Sequence, residues 1–418
     1  MNKFIFFNVF EIKMCYIRCM AKNKWIKRRH KIITRLAHFV IKPISKRKFG
    51  AKIEKFKKDK RQYLILYNHQ TSFDQFFIEM CFNRSIYYVA SEDLFSNGKI
   101  SSLLRWAVAP IPIKKQTNDM RAVMNCVKVV KEGGSIAIAP EGNRTYSGET
   151  GNFKESIVKL AKLVKLPIAF LRIEGGYGVE PRWSDVKRKG EMKVFVSSVL
   201  EPEEYASLSD AELLEVIHKG IYVDETEIKG KYVHDSKAEY IERALYVCPH
   251  CGLSSFYSNG NEFKCLKCGL TAEYTEDKTI EYKNGEAPFN TVKDWYNYQT
   301  DYINSLDLNS LGDEAIYTDT INVFEVALYK RKKLIEDSVS VSLFKDKIVI
   351  DGKTEKHVWN FDDVQSVSVL GRNKLNVYYK DKVYQFKSDK RFNSLKYMNL
   401  YYRYKNVKEN KNGRFLGI

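Results

Sequence analysis

The sequence contains no run of 18 or more apolar residues, the minimum an ordinary transmembrane helix needs, so none is expected. A signal peptide is not expected either. The opening MNKFIFFNVFEIKMCYIRCM is apolar only in patches; Glu11, Lys13 and Arg18 interrupt it, and no small-residue cleavage site follows. Internal repeats and low-complexity tracts are lacking. Acidic residues are scarce: 51 Asp and Glu face 70 Lys and Arg, for a formal charge of +19. The shortage is sharpest over residues 22–61, where only Glu54 and Asp59 oppose a dense run of Lys and Arg. Such a surface attracts anions, whether phospholipid headgroups, nucleic acid or acidic carriers, and says little about fold. Cysteines number only eight, and Cys15, Cys19, Cys81 and Cys126 are scattered, which argues against a secreted disulfide scaffold and for a reducing interior.

What is present is enough apolar sequence to build a core. With 44% hydrophobic and 29% charged residues over 418 positions, the chain suggests two or three folded domains. Residues 1–30 read as a basic, partly apolar N-terminal segment. In KIITRLAHFVIKPIS (31–45), Ile32, Leu36, Phe39 and Val40 fall at helical spacing among Lys31, Arg35 and Lys42, and Pro43 is expected to stop or kink the helix. That basic amphipathic helix suits either a membrane interface or a domain core with a solvated face. YLILY (63–67) reads as a buried strand and 73–80 as a helix, with Thr71 and Ser72 as caps. Helices at 100–107, 120–131 and 153–163 alternate with strands at 109–113, 135–139, 167–171 and 191–197. Residues 209–222 form one more helix, capped by Ser209. The fold class is therefore α/β: a layered domain over 31–245 with a mostly parallel or mixed sheet flanked by helices.

The chemistry concentrates at Asn68-His69-Gln70-Thr71-Ser72-Phe73-Asp74. The buried strand ends just before His69, and loops at the carboxyl ends of strands are where α/β sheets place ligands. Asp74 is close enough in sequence to fix one imidazole nitrogen, leaving the other to take a proton from a substrate hydroxyl. The plain alternative is a capped helix with a chance histidine before it. A second strand runs into Pro140-Glu141-Gly142-Asn143-Arg144-Thr145. There Gly142 permits a tight turn or a close ligand approach, and Arg144 offers a planar fork for phosphate. Glu141 could orient Arg144 or a substrate hydroxyl. A third stretch, Pro110 to Lys115, could carry a lysine toward the same anion.

Together these stretches resemble the phospholipid-synthesis acyltransferases, the glycerolphosphate and lysophosphatidic acid acyltransferase superfamily. Asn68 to Asp74 matches its His-x4-Asp motif. Ile111 to Lys115 looks like its second block, with Lys115, or Lys114 as rival, in place of the usual arginine. Pro140 to Thr145 resembles Pro-Glu-Gly-Thr-Arg-Ser, and Leu166 to Leu171, with Pro167, its proline-centred strand. The resemblance covers about residues 30–225. It implies that His69, supported by Asp74, deprotonates the free hydroxyl of a 1-acyl-glycerol 3-phosphate, which attacks the thioester of acyl-CoA or acyl carrier protein. Arg144 and Lys115 would hold the acceptor phosphate beside Gly142, and Glu141 would position the glycerol. The partners it implies are that donor, a lysophospholipid acceptor and an anionic membrane surface, with the protein peripheral on the cytoplasmic face. Gly175 to Gly178 and Pro181-Arg182-Trp183 are also familiar in bacterial members and carry no assigned role.

Downstream, Cys248-Pro-His-Cys251 and Cys265-Leu-Lys-Cys268 are two CxxC knuckles, each followed directly by glycine (Gly252, Gly269). Four thiolates at this spacing suit a tetrahedral, closed and hence structural zinc site in a ribbon over 246–275. His250 is not expected as a ligand. Residues 276–310 read as a linker. Residues 311–418 read as strands closed by a helix at 391–402, resembling a pleckstrin-homology-like β domain in architecture only. A nucleic-acid or protein-binding module would also explain the charge, the ribbon and the β domain. It leaves the ordered motifs unexplained, so nucleic acid is not expected as a partner.

Overall fold

The computed structural model describes residues 24–57, 59–114, 119–410 and 415–417. The first unit is built from α1 (Arg28–Phe49), β1 (Ala51–Ile53), β2 (Leu64–Tyr67), α2 (Asp74–Phe82), β3 (Ile86–Ser91), α3 (Lys99–Val108), β4 (Ile111–Ile113), α4 (Met120–Lys131), β5 (Ser135–Ile138), α5 (Ser156–Val164), β6 (Ile168–Glu174), β7 (Met192–Leu200) and α6 (Asp210–Ile221). Its seven strands lie in the order β1-β7-β6-β2-β5-β3-β4. From β6 to β4 they run parallel, whereas β7 is antiparallel to β6, so the sheet is mixed.

The central strand shows why this is a layered fold. Successive side chains of a strand point to opposite faces, and every residue of β2 is buried. Tyr63, Ile65 and Tyr67 join one core with Phe77, Ile78 and Leu171, while Leu64 and Leu66 join another with Val129, Ile157 and Ile217. Helices must therefore cover both faces. Local signals set their ends: Asp119 accepts from the N–H groups of Arg121 and Ala122 ahead of α4, and the Ser209 hydroxyl accepts from Glu212 N at 3.2 Å ahead of α6. Pro43 does not stop α1, which continues to Phe49. The carbonyl that loses its partner belongs to Phe39, which is 88% exposed, so water can satisfy it.

The rest of the chain packs onto this unit. Strands β8 (Val247–Cys248) and β9 (Gly252–Leu253) pair as a small ladder, and β10 (Phe256–Asn259), β11 (Glu262–Cys265), β12 (Thr271–Tyr274) and β13 (Ile280–Asn284) form an antiparallel meander. Residues 276–310 are not a linker. They supply β13 and helix α7 (Val292–Ser305), whose Trp295 is fully buried among Phe256, Phe263 and Phe289. Beyond them, β14 (Tyr317–Val326), β15 (Lys333–Leu343), β16 (Lys347–Asp351), β17 (Lys356–Asn360), β18 (Val364–Leu370), β19 (Lys374–Tyr379) and β20 (Lys382–Lys387) form one antiparallel sheet in the order β17-β16-β15-β14-β20-β19-β18. Helix α8 (Leu395–Lys408) closes it. One continuous apolar core joins Tyr177 and Trp183 of the first unit to this β domain.

Candidate active site

Strands β2, β5 and β6 run parallel, so the loops leaving their carboxyl ends meet on one edge of the sheet. The loop after β2 carries His69. Its Nδ1 lies 2.7 Å from Asp74 Oδ2. Asp74 is fully buried and opens α2, where the helix dipole favours a carboxylate. The same carboxylate accepts from Gln70 N at 2.8 Å, Thr71 N at 2.9 Å and the Thr71 hydroxyl at 2.6 Å. Thr71 and Ser72 therefore do not cap the helix as expected; Phe73 occupies the cap position without a side-chain bond. The imidazole keeps partial access to solvent, with its side chain 26% exposed. A ring held at Nδ1 by a buried carboxylate has its proton-accepting role directed to Nε2.

The loop after β5 packs against this one. Thr145 N donates to His69 O at 3.2 Å, and Glu141 accepts from His69 N at 2.9 Å and from Gly151 N at 2.9 Å. Both Glu141 oxygens are thus taken by backbone, so this residue braces two loops and does not pair with Arg144. Burial pushes its carboxyl up to about 8 against those two hydrogen bonds. Gly142 has φ +67° with open space around its Cα, so the turn conformation alone demands glycine there. Arg144 is buried, and burial pushes its guanidinium down to about 10, still a cation at neutral pH. Its Nη1 stands 3.8 Å from Glu180 Oε1 and makes no hydrogen bond. Lys115 lies outside the described residues. Its rival Lys114 is exposed at the end of β4, its backbone N–H donating to Asp119 Oδ2 at 3.0 Å.

Two residues from the segment after β6 complete the site, and sequence reasoning gave neither a role. Glu180 is fully buried and accepts from Ser72 N at 3.2 Å and the Ser72 hydroxyl at 2.9 Å, inside the histidine loop. Glu180 thereby links the histidine loop to the Arg144 guanidinium. Arg182 donates to Arg144 O at 2.8 Å and to Asn143 Oδ1 at 3.2 Å, with its guanidinium 4.2 Å from the Tyr146 ring centre. The only forewarning was a glutamate and an arginine flanking Pro181 in an otherwise apolar stretch.

The cysteine quartet lies apart from this edge. The Sγ atoms of Cys248, Cys251, Cys265 and Cys268 all lie within 4.8 Å of one another, an arrangement able to hold a metal ion. The Cys248–Cys268 and Cys251–Cys265 sulfurs are 3.6 Å apart, near the edge of about 3.8 Å that a tetrahedron with zinc–sulfur bonds of about 2.3 Å requires. His250 turns away, its Nε2 lying 2.8 Å from Glu286 O.

Comparison with known proteins matches the first unit to acyltransferases. Residues 48–173 match the family model described as Acyltransferase. The chain is 25% identical over 146 residues to the 1-acyl-sn-glycerol-3-phosphate acyltransferase of Bacillus subtilis (strain 168), spanning 35% of this chain and 70% of that protein. It is 24% identical over 137 residues to the chloroplastic 1-acyl-sn-glycerol-3-phosphate acyltransferase BAT2 of Brassica napus, spanning 31% of this chain and 38% of that one. Among solved structures, the 1-acyl-sn-glycerophosphate acyltransferase PlsC of Thermotoga maritima aligns over 51% of this chain and 89% of its own, at 19% identity and a TM-score of 0.38. Over residues 48–173, then, the chain is similar to the acyltransferases, and the curated relatives it matches there are named 1-acyl-sn-glycerol-3-phosphate acyltransferases.

Proposed function

We propose that the protein transfers a fatty acyl group from acyl-CoA or acyl carrier protein to the free hydroxyl of 1-acyl-glycerol 3-phosphate, in phospholipid synthesis. The observation that carries this reading is the 2.7 Å contact between His69 Nδ1 and the buried Asp74 carboxylate, on a loop that shares Glu180 with the Arg144 guanidinium. His69 Nε2 takes the hydroxyl proton as the oxygen attacks the thioester carbon. A C–O bond forms, the C–S bond breaks, and the imidazolium returns the proton to the leaving thiolate. Asp74 stabilises the imidazolium in between. Arg144, with Lys115, binds the acceptor phosphate.

The acceptor and the product are lipids, and one face of the molecule suits a lipid surface. Ile32, Leu36, Phe39 and Val40 on α1 are 59–88% exposed, and Ile100, Leu103 and Trp106 on α3 are 52–65% exposed. The two helices are tied by Arg29, which donates to Trp106 O at 2.9 Å. An apolar stripe rimmed by Lys31, Arg35 and Lys42 supports peripheral attachment to an anionic membrane, taken here as its cytoplasmic face. No helix among the described residues is long and apolar enough to cross a membrane. The thiolate quartet supports one zinc ion bound as a structural element, because four protein ligands leave no position open for chemistry.

The test is one assay with two readouts. The full chain and His69→Ala are incubated with anionic vesicles, labelled acyl donor and 1-acyl-glycerol 3-phosphate; product and vesicle co-sedimentation are measured together. His69→Ala is expected to lose transfer by about 100-fold or more and to sediment like the parent. Transfer that survives in His69→Ala overturns the mechanism, and a parent that stays in the supernatant overturns the membrane reading.

A further inference from the structure

The turn between β18 and β19, Gly371-Arg372-Asn373, leaves the C-terminal β domain and inserts beside the active site. Its backbone and the end of β18 are pinned there by two side chains. Arg182 Nε donates to Gly371 O at 2.9 Å, Arg182 Nη2 to Val369 O at 3.3 Å, and the Tyr146 hydroxyl to Arg372 O at 2.8 Å. The same Arg182 holds the Asn143–Arg144 turn. A side chain anchored in this way projects with little freedom, and Arg372 projects toward Arg144. Arg372 Nη2 donates to Glu180 Oε1 at 2.8 Å, the oxygen that Arg144 Nη1 approaches to 3.8 Å.

We propose that Arg372, supplied by the C-terminal β domain, is a further phosphate-binding residue of the acyltransferase site, gripping the acceptor phosphate together with Arg144. Three observations carry it. The two guanidiniums share one carboxylate, and that carboxylate already accepts from Ser72 N and the Ser72 hydroxyl. Asp185, the other acid nearby, is claimed by the bidentate Arg243 at 2.9 and 3.1 Å, while Arg372 Nε lies 3.4 Å away. Arg144 Nη1 and Arg372 Nε are each buried and make no hydrogen bond. Buried donors without acceptors and an excess of positive charge together call for an anion with several acceptor oxygens. A phosphate monoester has three. Lys187 adds to the same field: it sits over the Phe49 and Phe73 rings at 4.0 and 4.6 Å. Arg372 lies beyond the 48–173 stretch that matches the acyltransferase family, so the β domain completes the site.

This inference rests on the acyl-transfer reading, and the experiment separates the two. Initial rates of the full chain, Arg372→Ala and Arg372→Lys are measured while varying either a short-chain 1-acyl-glycerol 3-phosphate or the acyl donor. In a His69→Ala background, binding of the same acceptor is compared with binding of the monoacylglycerol that lacks the phosphate. Arg372→Ala is expected to raise the acceptor KM and Kd by about 10- to 100-fold. Donor KM and monoacylglycerol binding should be unchanged, and Arg372→Lys should recover part of the loss. Arg372→Ala also takes an ion-pair partner from the buried Glu180, so its thermal midpoint should fall whatever its role in binding. A merely structural role would weaken both substrates together, and that result overturns the proposal. So does an acceptor Kd indifferent to Arg372→Ala. A parent protein that binds the phosphorylated acceptor through Arg372 yet transfers nothing would overturn the reaction and leave Arg372 its ligand.

Discussion

Asp74 has no spare acceptor capacity. Oδ2 takes the His69 ring and Gln70 N, and Oδ1 takes both the Thr71 N–H and its hydroxyl. An asparagine there must aim an N–H₂ group at one of these donors. Asp74→Asn is expected to cut kcat by about 10³-fold or more, through the wrong imidazole tautomer. It should also cost about 1–3 kcal/mol of stability, through the unpaired buried donors. Steady-state kinetics and urea unfolding on one preparation check both, and a variant near the parental rate would dissolve the His–Asp pair as the engine of the reaction. This pair was legible in the sequence because it is local: four residues separate the partners, and a strand–loop–helix fixes their distance. Glu180 was not, since it reaches back 108 residues to Ser72 and forward 192 to Arg372. The packing of β6 beside β2 brings Glu180 to Ser72, and the docked β18–β19 turn brings Arg372. Thr71 reads as a cap because its hydroxyl suits one; its oxygen does accept from Phe73 N at 3.1 Å, just short of the helix, while its proton goes to Asp74.

At the scale of elements, apolar periodicity located most helices of the first unit within a few residues, and β2 and β5 likewise. It passed over β3, whose burial is strong only at Ile86 and Tyr87, so no continuous apolar run marks it. It also misjudged 276–310. That stretch is polar in composition, yet its polar groups are spent inside. Trp295 Nε1 donates to Val247 O at 2.8 Å, and the buried Gln299 accepts from Tyr246 N at 2.8 Å and Val247 N at 3.1 Å while donating to Ala244 O at 3.0 Å. These bonds fasten α7 to the strand that carries Cys248. If zinc sits in the quartet, its loss should be felt through α7. One equivalent of zinc per chain is expected by elemental analysis, and strong chelation or Cys265→Ser should lower the thermal midpoint by about 5–15 °C. A chain that purifies without metal and ignores the chelator would remove zinc from the account.

For the molecule as a whole, a second cluster docks the β domain at the carboxyl end of β3. Asp93, just after β3, pairs with Lys332 and Lys374 and accepts from Gln385 Nε2 at 3.1 Å. Neighbouring Glu92 accepts from the Tyr378 hydroxyl. Burial alone would raise the Asp93 pKa, but the two lysines outweigh it and hold the carboxyl well below the usual range. A depressed acid contributes stability that is complete above its unfolded value of about 3.9 and is lost as the pH falls toward its folded one. Asp93→Asn should therefore cost about 3 kcal/mol at pH 7, with the two unfolding curves converging below about pH 4; a gap that persists undiminished at pH 3 would contradict this. Arg182, finally, bonds a carbonyl 189 residues further along the chain while it clasps the Arg144 turn. Translation must therefore pass Gly371 before that clasp can shut. A product terminated ahead of the β18–β19 turn would emerge with its phosphate grip half built, so acylating power would wait for that turn to be made.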